Sequence, residues 1–268
     1  MTIAAETLMT TAADPLVRRD RDARGVVTLT LNRPHAFNAL SEAMLAALQR
    51  ELDAIASDES VRVVILAAEG KAFCAGHDLK EMRAQPSLEY YQELFARCTR
   101  MMLTLQRLPV PVIARVQGIA TAAGCQLVAQ CDLAVASSAA RFAVSGVNLG
   151  LFCSTPSVPL SRNVARKQAF EMLVTGEFID AAQALARGLV NRVAEPARLD
   201  AEIESLAASI VAKPRAVVAM GKELFYRQAE LGIEAAYDAA GETMACNMMD
   251  AAALEGVQAF IEKRKPRW

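Results

Sequence analysis

The chain carries two histidines, one tryptophan and a 5% aromatic share in 268 residues, and these scarcities narrow its chemistry. Its six cysteines (Cys74, Cys98, Cys125, Cys131, Cys153, Cys246) form no CxxC pair. Only His35 and His77 could join them as imidazole ligands, so no zinc ligand set is expected and no metal site is assigned. A G-x-S-x-G elbow, a G-x-G-x-x-G after a strand and a G-x-x-x-x-G-K-[ST] loop are all missing, which removes the common serine hydrolase, dinucleotide and nucleoside triphosphatase readings. Neither charge sign dominates. Lys plus Arg number 29 against 30 Asp plus Glu, so no overall field draws nucleic acid or an anionic membrane, and neither is expected as a partner. No apolar run reaches the roughly 20 residues of a membrane-spanning helix. The first sixteen residues contain Glu6 and Asp14 but no Lys or Arg, unlike a secretory signal or transit peptide. Most of the cysteines sit among small or apolar neighbours, where a thiol behaves as a small hydrophobe. Reduced thiols and a cytoplasmic location are the expectation.

What remains is a folded protein with a large core: 53% of residues are hydrophobic and 22% charged. Residues 1–20 lack a period and read as a loose N-terminal arm. VVTLTL at Val26–Leu31 is a β-branched strand ended by Asn32-Arg33-Pro34. Ser41 caps a helix with Met44, Leu45, Leu48, Leu52 and Ile55 on one face. The order strand, helix, strand then recurs through residues 61–69, a long helix over 87–107, a strand over 111–116, a small-residue helix opening near Ala122, and a strand from Asp132. This is α/β architecture with mostly buried strands. From about residue 157 the pattern is helical, apart from a short candidate strand at Val190–Val193. Residues 21–200 form the core, and 201–268 a helical region of the same single domain.

Two segments look built for backbone chemistry. GKAFCAGHDLKEM at 70–82 follows a strand and opens a short helix, with Gly76 permitting a tight turn and Asp78 able to cap. GIATAAGCQL at 118–127 repeats the design. Each leaves free N–H groups at a helix start, where the helix dipole also favours negative charge. If both face one pocket, they form an oxyanion hole.

These residues resemble the crotonase, or enoyl-CoA hydratase/isomerase, superfamily. The resemblance runs through LNRPHAFNAL, KAFCAGHDLKEM, PVPVIARVQGIATAAGCQLVAQCDLAVAS, FAVSGVNLGL, EMLVTGEFIDAAQALARGLVNRV and AFIEKRK. ATAAGCQL and GVNLGLFCSTP look closer still to one subgroup, that of enoyl-CoA hydratase domain-containing protein three. The resemblance implies a crotonase-like ββα spiral with a C-terminal helical trimerisation region, assembling as a homotrimer or a dimer of trimers. It implies an acyl-CoA substrate, with coenzyme A entering as part of that substrate and no covalently bound cofactor. The thioester carbonyl would lie between the backbone N–H groups of His77 and Ala123. The adenine end would follow Ala75, His77, Asp78, Leu79 and Lys80, with Phe260 and Lys263 closing over it.

One departure qualifies the implied activity. Where hydratases of this family carry two glutamates around the water they add, this chain has Gln126 and Gly146. An amide holds water but does not transfer protons near neutral pH, and positioned acid–base catalysis ordinarily supplies about a hundredfold to ten-thousandfold. Efficient hydration is therefore not expected. Isomerisation or hydrolysis of a thioester, or acyl-CoA binding without turnover, are the alternatives. Restoring both carboxylates, Gln126→Glu with Gly146→Glu, is expected to raise hydration. Asp78 and Asp132 read as caps, Glu81 as solvent-facing, Cys153 as a packed thiol, and Ser154 as a possible amide donor at the next helix start.

Overall fold

The computed structural model describes residues 14–84 and 86–268. Its strands are β1 (Val17–Arg21), β2 (Val26–Leu31), β3 (Val63–Ala68), β4 (Ala72–Cys74), β5 (Val112–Val116), β6 (Ile119–Thr121), β7 (Leu133–Ser137), β8 (Arg141–Ala143), β9 (Ile179–Asp180) and β10 (Arg192–Ala194). The helices are α1 (Glu42–Ala56), α2 (Leu79–Ala84), α3 (Leu88–Arg107), α4 (Ala123–Gln130), α5 (Ser154–Asn163), α6 (Arg166–Thr175), α7 (Ala181–Ala186), α8 (Leu199–Val211), α9 (Arg215–Gln228), α10 (Ile233–Met248) and α11 (Ala251–Ile261).

From β3 to β8, consecutive strands alternate between two sheets. A six-stranded sheet runs β1-β2-β3-β5-β7-β10, and a four-stranded sheet runs β4-β6-β8-β9. Thus β3, β5 and β7 each hand the chain to β4, β6 and β8, and a helix then returns it, which winds a ββα spiral. Pairing in the large sheet is parallel except between β1 and β2. A parallel sheet needs cover on both faces, and β3 is buried at all six positions. One face packs into a core with Leu48, Leu52 and Ile55 of α1 and Met101 and Leu105 of α3. Each such side chain contributes about 1.5–3 kcal/mol by leaving water. The other face is closed by Leu199, Ile203 and Ala207 of α8 against Val26, Val63, Ile65, Ile113 and Val135.

Two expectations are corrected. Residues 1–13 of the proposed loose arm lie outside the described residues, but Val17–Arg21 is a strand, antiparallel to β2 with Val17 opposite Leu31. Its sequence, VRRDR, buries only Val17. It occupies a sheet edge, where charge discourages further pairing, and Arg18, Arg19 and Arg21 reach Glu69, Glu51 and Asp58. In the later part, the strand expected at 190–193 lies at Arg192–Ala194, and a two-residue strand, β9, joins β8.

Beyond α8 the helices bury almost nothing within the chain: none of α9, Ala236 of α10, Ala259 of α11. Phe225, Ile233, Tyr237, Met244, Leu254 and Phe260 stay exposed. Polar groups fasten this region. Lys222 Nζ donates to the carbonyl oxygens of Leu105 and Val110, both at 3.0 Å, and to Asp132 Oδ2 at 2.7 Å. Tyr226 donates to Asp132 Oδ1 at 2.8 Å, and the Val112 amide to Oδ2 at 2.7 Å. The reading of Asp132 as a cap is corrected: its carboxylate accepts from the β5 amide of Val112 and from Lys222 and Tyr226 of α9, and so fastens α9 to the core.

Candidate active site

The first rim of the site begins in LNRPHAFNAL. Asn38, fully buried with φ +54°, accepts from the Arg33 amide and donates to the carbonyls of Glu69 and Ala72. This folds the segment back so that Leu40 lies beside residues 76–78 as an isolated parallel bridge. The Leu40 amide donates to Gly76 O at 2.7 Å and the Asp78 amide to Leu40 O at 3.3 Å. In such a bridge the residue between, His77, directs its own N–H away from Leu40, and that N–H has no acceptor among the described residues.

The second rim is the start of α4. Ala122 precedes the helix with φ +49° and ψ −120°, a conformation that favours glycine, and makes no side-chain cap. Ala123 is the first helical residue, so its N–H is one of the orphan donors of a helix start. It too has no acceptor among the described residues. Gly76, at φ +95°, joins the rims: a methyl group built there would lie 3.0 Å from Ala122 Cβ and 3.3 Å from Ala123 N. Gly124 is tighter still, since a methyl group would stand 2.0 Å from the Cys74 carbonyl oxygen. Two unspent backbone donors therefore converge beside two glycines that the approach requires.

Gln126, one turn into α4, carries no charge. Gln126 is 4% exposed and its Oε1 has no partner among the described residues. Both His77 ring nitrogens are buried without a hydrogen-bond partner, and the ring meets Phe95 edge-on with centroids 5.5 Å apart. Burial lowers the His77 pKa. The Leu40 backbone acts in the opposite sense, without the geometry of a hydrogen bond, and the ring is held neutral. Thr121 Oγ1 and Ser145 Oγ are 2.8 Å apart, linking the strand before α4 to the turn containing Gly146.

Gly146 is closed to any side chain. Its amide donates to Cys153 Sγ at 3.3 Å, and a methyl group built on it would lie 2.6 Å from Leu151 O and 2.8 Å from Cys153 Sγ. The expected rescue by Gly146→Glu is accordingly corrected, because a carboxylate at 146 requires the 151–153 backbone to move first. Cys153 is buried and burial raises its thiol pKa, against a smaller lowering by the Gly146 amide; it is a packed thiol and no thiolate nucleophile. The Ser154 amide donates to Phe152 O at 2.8 Å, so it does not supply a further free donor.

Asp78 caps α2, accepting from the amides of Lys80 at 3.0 Å and Glu81 at 3.4 Å, and pairs with Arg33 at 2.7 Å. Burial raises its pKa, while Arg33 and the two amides lower it by more, so the carboxyl lies below its ordinary value. Glu81 is also corrected: it accepts from the Glu42 amide at 2.9 Å and caps α1 from outside. Leu79 and Lys80 are exposed on α2. Gly76 brings the His77 segment against Ala123, Gln126 lies three residues further along α4, and the Thr121–Ser145 contact ties the turn of Gly146 to the strand before α4, whereas Phe260 and Lys263 lie at the far end of the chain. Phe260 is 84% exposed on α11, and the chain end folds back to place Trp268 Nε1 3.0 Å from Ala212 O. Sequence reasoning missed Arg33, Phe95 and Thr121; only the Arg33-Pro34 turn signal lay near one of them.

Comparisons with known proteins speak to family and fold. The enoyl-CoA hydratase/isomerase family profile matches residues 21–268. A Xenopus laevis protein named enoyl-CoA hydratase domain-containing protein 3, mitochondrial, is 48% identical over 91% of this chain and 83% of its own length. Among solved structures, one described as an enoyl-CoA hydratase of Mycobacterium smegmatis is 73% identical, with a TM-score of 0.94 over 95% of this chain and 99% of that one. The human enoyl Coenzyme A hydratase domain-containing protein 3 structure is 44% identical, with a TM-score of 0.91 over 94% and 100%. The cytoplasmic expectation is overturned by these relatives, since proteins 44–48% identical to the chain carry mitochondrial names. The observation behind it, six unbridged cysteines with five buried, suits any reducing compartment and does not choose among them.

Proposed function

We propose, because this chain belongs to the enoyl-CoA hydratase/isomerase family, that it binds an acyl-CoA thioester with the carbonyl oxygen between the His77 and Ala123 N–H groups. The observation that carries this reading is the pair of unspent donors drawn together at Gly76. Both amides stabilise negative charge growing on the thioester oxygen, which acidifies the α-carbon and makes a conjugated β-carbon more electrophilic. One such donor is worth about a hundredfold to a thousandfold in rate. The segment Ala75–Lys80, exposed at Leu79 and Lys80, takes the adenine end of coenzyme A, which belongs to the substrate. Phe260 and Lys263, exposed on their own chain, close over it from an adjoining copy. The unburied apolar faces of α9–α11 suit a homotrimer or a dimer of trimers, with residues 201–268 remaining part of the same domain as the 21–200 core.

Hydration is slow in this reading, because no carboxylate stands at residue 126 or 146 to move the proton. The same absence favours a second reading, an acyl-CoA binder without turnover. Adding a short trans-2-enoyl-CoA and following the conjugated thioester absorbance separates them. Slow loss of absorbance supports the atypical enzyme, and tight calorimetric binding with no loss supports the binder. Turnover within tenfold of a two-glutamate hydratase defeats the claim that carboxylates are needed, and absence of acyl-CoA binding defeats both readings.

A further inference from the structure

We infer that Arg33 is a positioning residue for thioester recognition: its grip on Asp78 fixes the direction in which the His77 N–H points. The inference rests on the acyl-CoA reading above and names what aims one of its two donors. The His77 peptide is secured unequally on its two sides. On the N-terminal side, the Ala75 amide donates to Phe37 O at 3.0 Å, and Gly76 O accepts from the Leu40 amide at 2.7 Å. On the C-terminal side, the Asp78 amide reaches Leu40 O only at 3.3 Å, longer than the usual N–H···O range, and α2 beyond it buries no residue. Glu81 and Met82 hold α2 to its neighbours, but they lie three and four residues past Asp78. The short contact beside the donor is Arg33 Nη1 to Asp78 Oδ2 at 2.7 Å. It is charge-assisted, and both side chains are largely covered, at 23% and 11% exposure.

Arg33 can act as a post because its own backbone is fixed. Its amide donates to Asn38 Oδ1 at 2.9 Å, and its carbonyl accepts from the Ala36 and Asn38 amides, each at 3.0 Å. Asn38 is fully buried and donates onward to the carbonyls of Glu69 and Ala72 at 2.8 and 2.9 Å. The guanidinium therefore extends from a turn tied to the strands β3 and β4. The Asp78 carboxylate divides its work: Oδ1 accepts from the Lys80 and Glu81 amides, and Oδ2 takes Arg33. The first oxygen binds Asp78 to α2, and the second binds α2 to the post. Without Arg33, Asp78 and the start of α2 are free to turn about Gly76, a glycine at φ +95° whose backbone resists rotation least. The His77 N–H lies between them. Hydrogen bonds weaken steeply with misalignment, so an oxyanion donor needs direction as well as proximity.

The test uses the whole chain and two ligands, butyryl-CoA and its thioether analogue S-butyl-CoA, which keeps the chain and the coenzyme but lacks the carbonyl oxygen. Each is titrated calorimetrically, and the readout is the ratio of the two affinities. Lost folding or lost coenzyme A contacts weaken both ligands alike, whereas a misdirected donor weakens butyryl-CoA alone. The parent chain should bind butyryl-CoA about tenfold more tightly, and Arg33→Met should bring the two within about threefold. Asp78→Asn, which keeps an oxygen for the α2 cap but removes the charge facing Arg33, should lower the ratio in the same way and serves if the methionine variant does not fold. Arg192→Met, which breaks the pair with Glu202, should leave the ratio at its parental value. A parental ratio in either Arg33→Met or Asp78→Asn would overturn the inference while leaving carbonyl recognition intact. An equal drop in Arg192→Met would overturn the assignment to Arg33. Equal affinities for the two ligands in the parent chain would defeat the reading beneath the inference, and the inference with it.

Discussion

Ala123 and His77 offer equivalent amides from segments held by different physics. The α4 rim is packed: residues 123–129 are all buried, and Gly124 is pressed against the Cys74 carbonyl. The His77 rim is tethered. α2 has no buried residue, and it is held by Arg33 on Asp78, by Glu81 on the Glu42 amide and by Tyr91 on Met82 O at 3.0 Å. Packing fixes position with many small contacts that fail together, whereas polar tethers can be removed singly. One donor is thus set by the core and the other by a few separable bonds.

Substitutions break the contrast in order of size. Gly124→Ala should be the most damaging, because backbone stands 2.0 Å from the new methyl group on a rim that cannot yield; a loss of about 3 kcal/mol or more is expected in urea unfolding. Gly76→Ala adds a side chain at φ +95° and touches Ala122, costing about 1–3 kcal/mol. Its larger effect should be on calorimetric acyl-CoA affinity, since it parts the two donors.

Asp78→Asn tests the tethers, with an expected cost of about 1 kcal/mol at pH 7. The sign follows from the lowered pKa: the folded carboxyl holds its proton less tightly than the unfolded one, whose pKa is about 3.9. Its contribution is therefore present above that pKa and is lost as pH falls through the folded value. The variant should flatten the acid limb of the stability curve. His77 works in the same pH direction by a different route. Its folded pKa is lowered, so the unfolded chain binds the extra proton, and stability falls as pH drops through about 6.5. His77→Gln should remove that dependence as pH falls below about 6.5, read from denaturation midpoints. Ala122→Gly is the mildest change, relieving φ +49° against added chain entropy; a gain of no more than about 1 kcal/mol is expected, with acyl-CoA affinity kept.

The legible part of the fold was what local pattern dictates. Val26–Leu31 is a strand over its whole expected length, and the Ser41 hydroxyl accepts from the Met44 amide to start α1. Ser87 starts α3 in the same manner. β1 was illegible because VRRDR carries no alternation; its pairing with β2 and the carboxylates beyond creates it. The site divides similarly. Gly76, Asp78 and the small residues at 122–124 announce backbone turns, but Glu81 looked solvent-facing because its partner amide lies 39 positions earlier in the chain. The unpaired ends of Gln126 and His77 come from three-dimensional enclosure, which no spacing encodes.

The closure at Gly146 bears on how such a protein could change over generations. Leu151 O and Cys153 Sγ have settled into the space that a side chain at 146 would need. A single substitution to a carboxylate at 146 meets a steric penalty before it can confer any benefit. A variant with carboxylates at both positions would need the 151–153 turn rebuilt first, a step with no catalytic reward of its own, so single substitutions do not readily reach it.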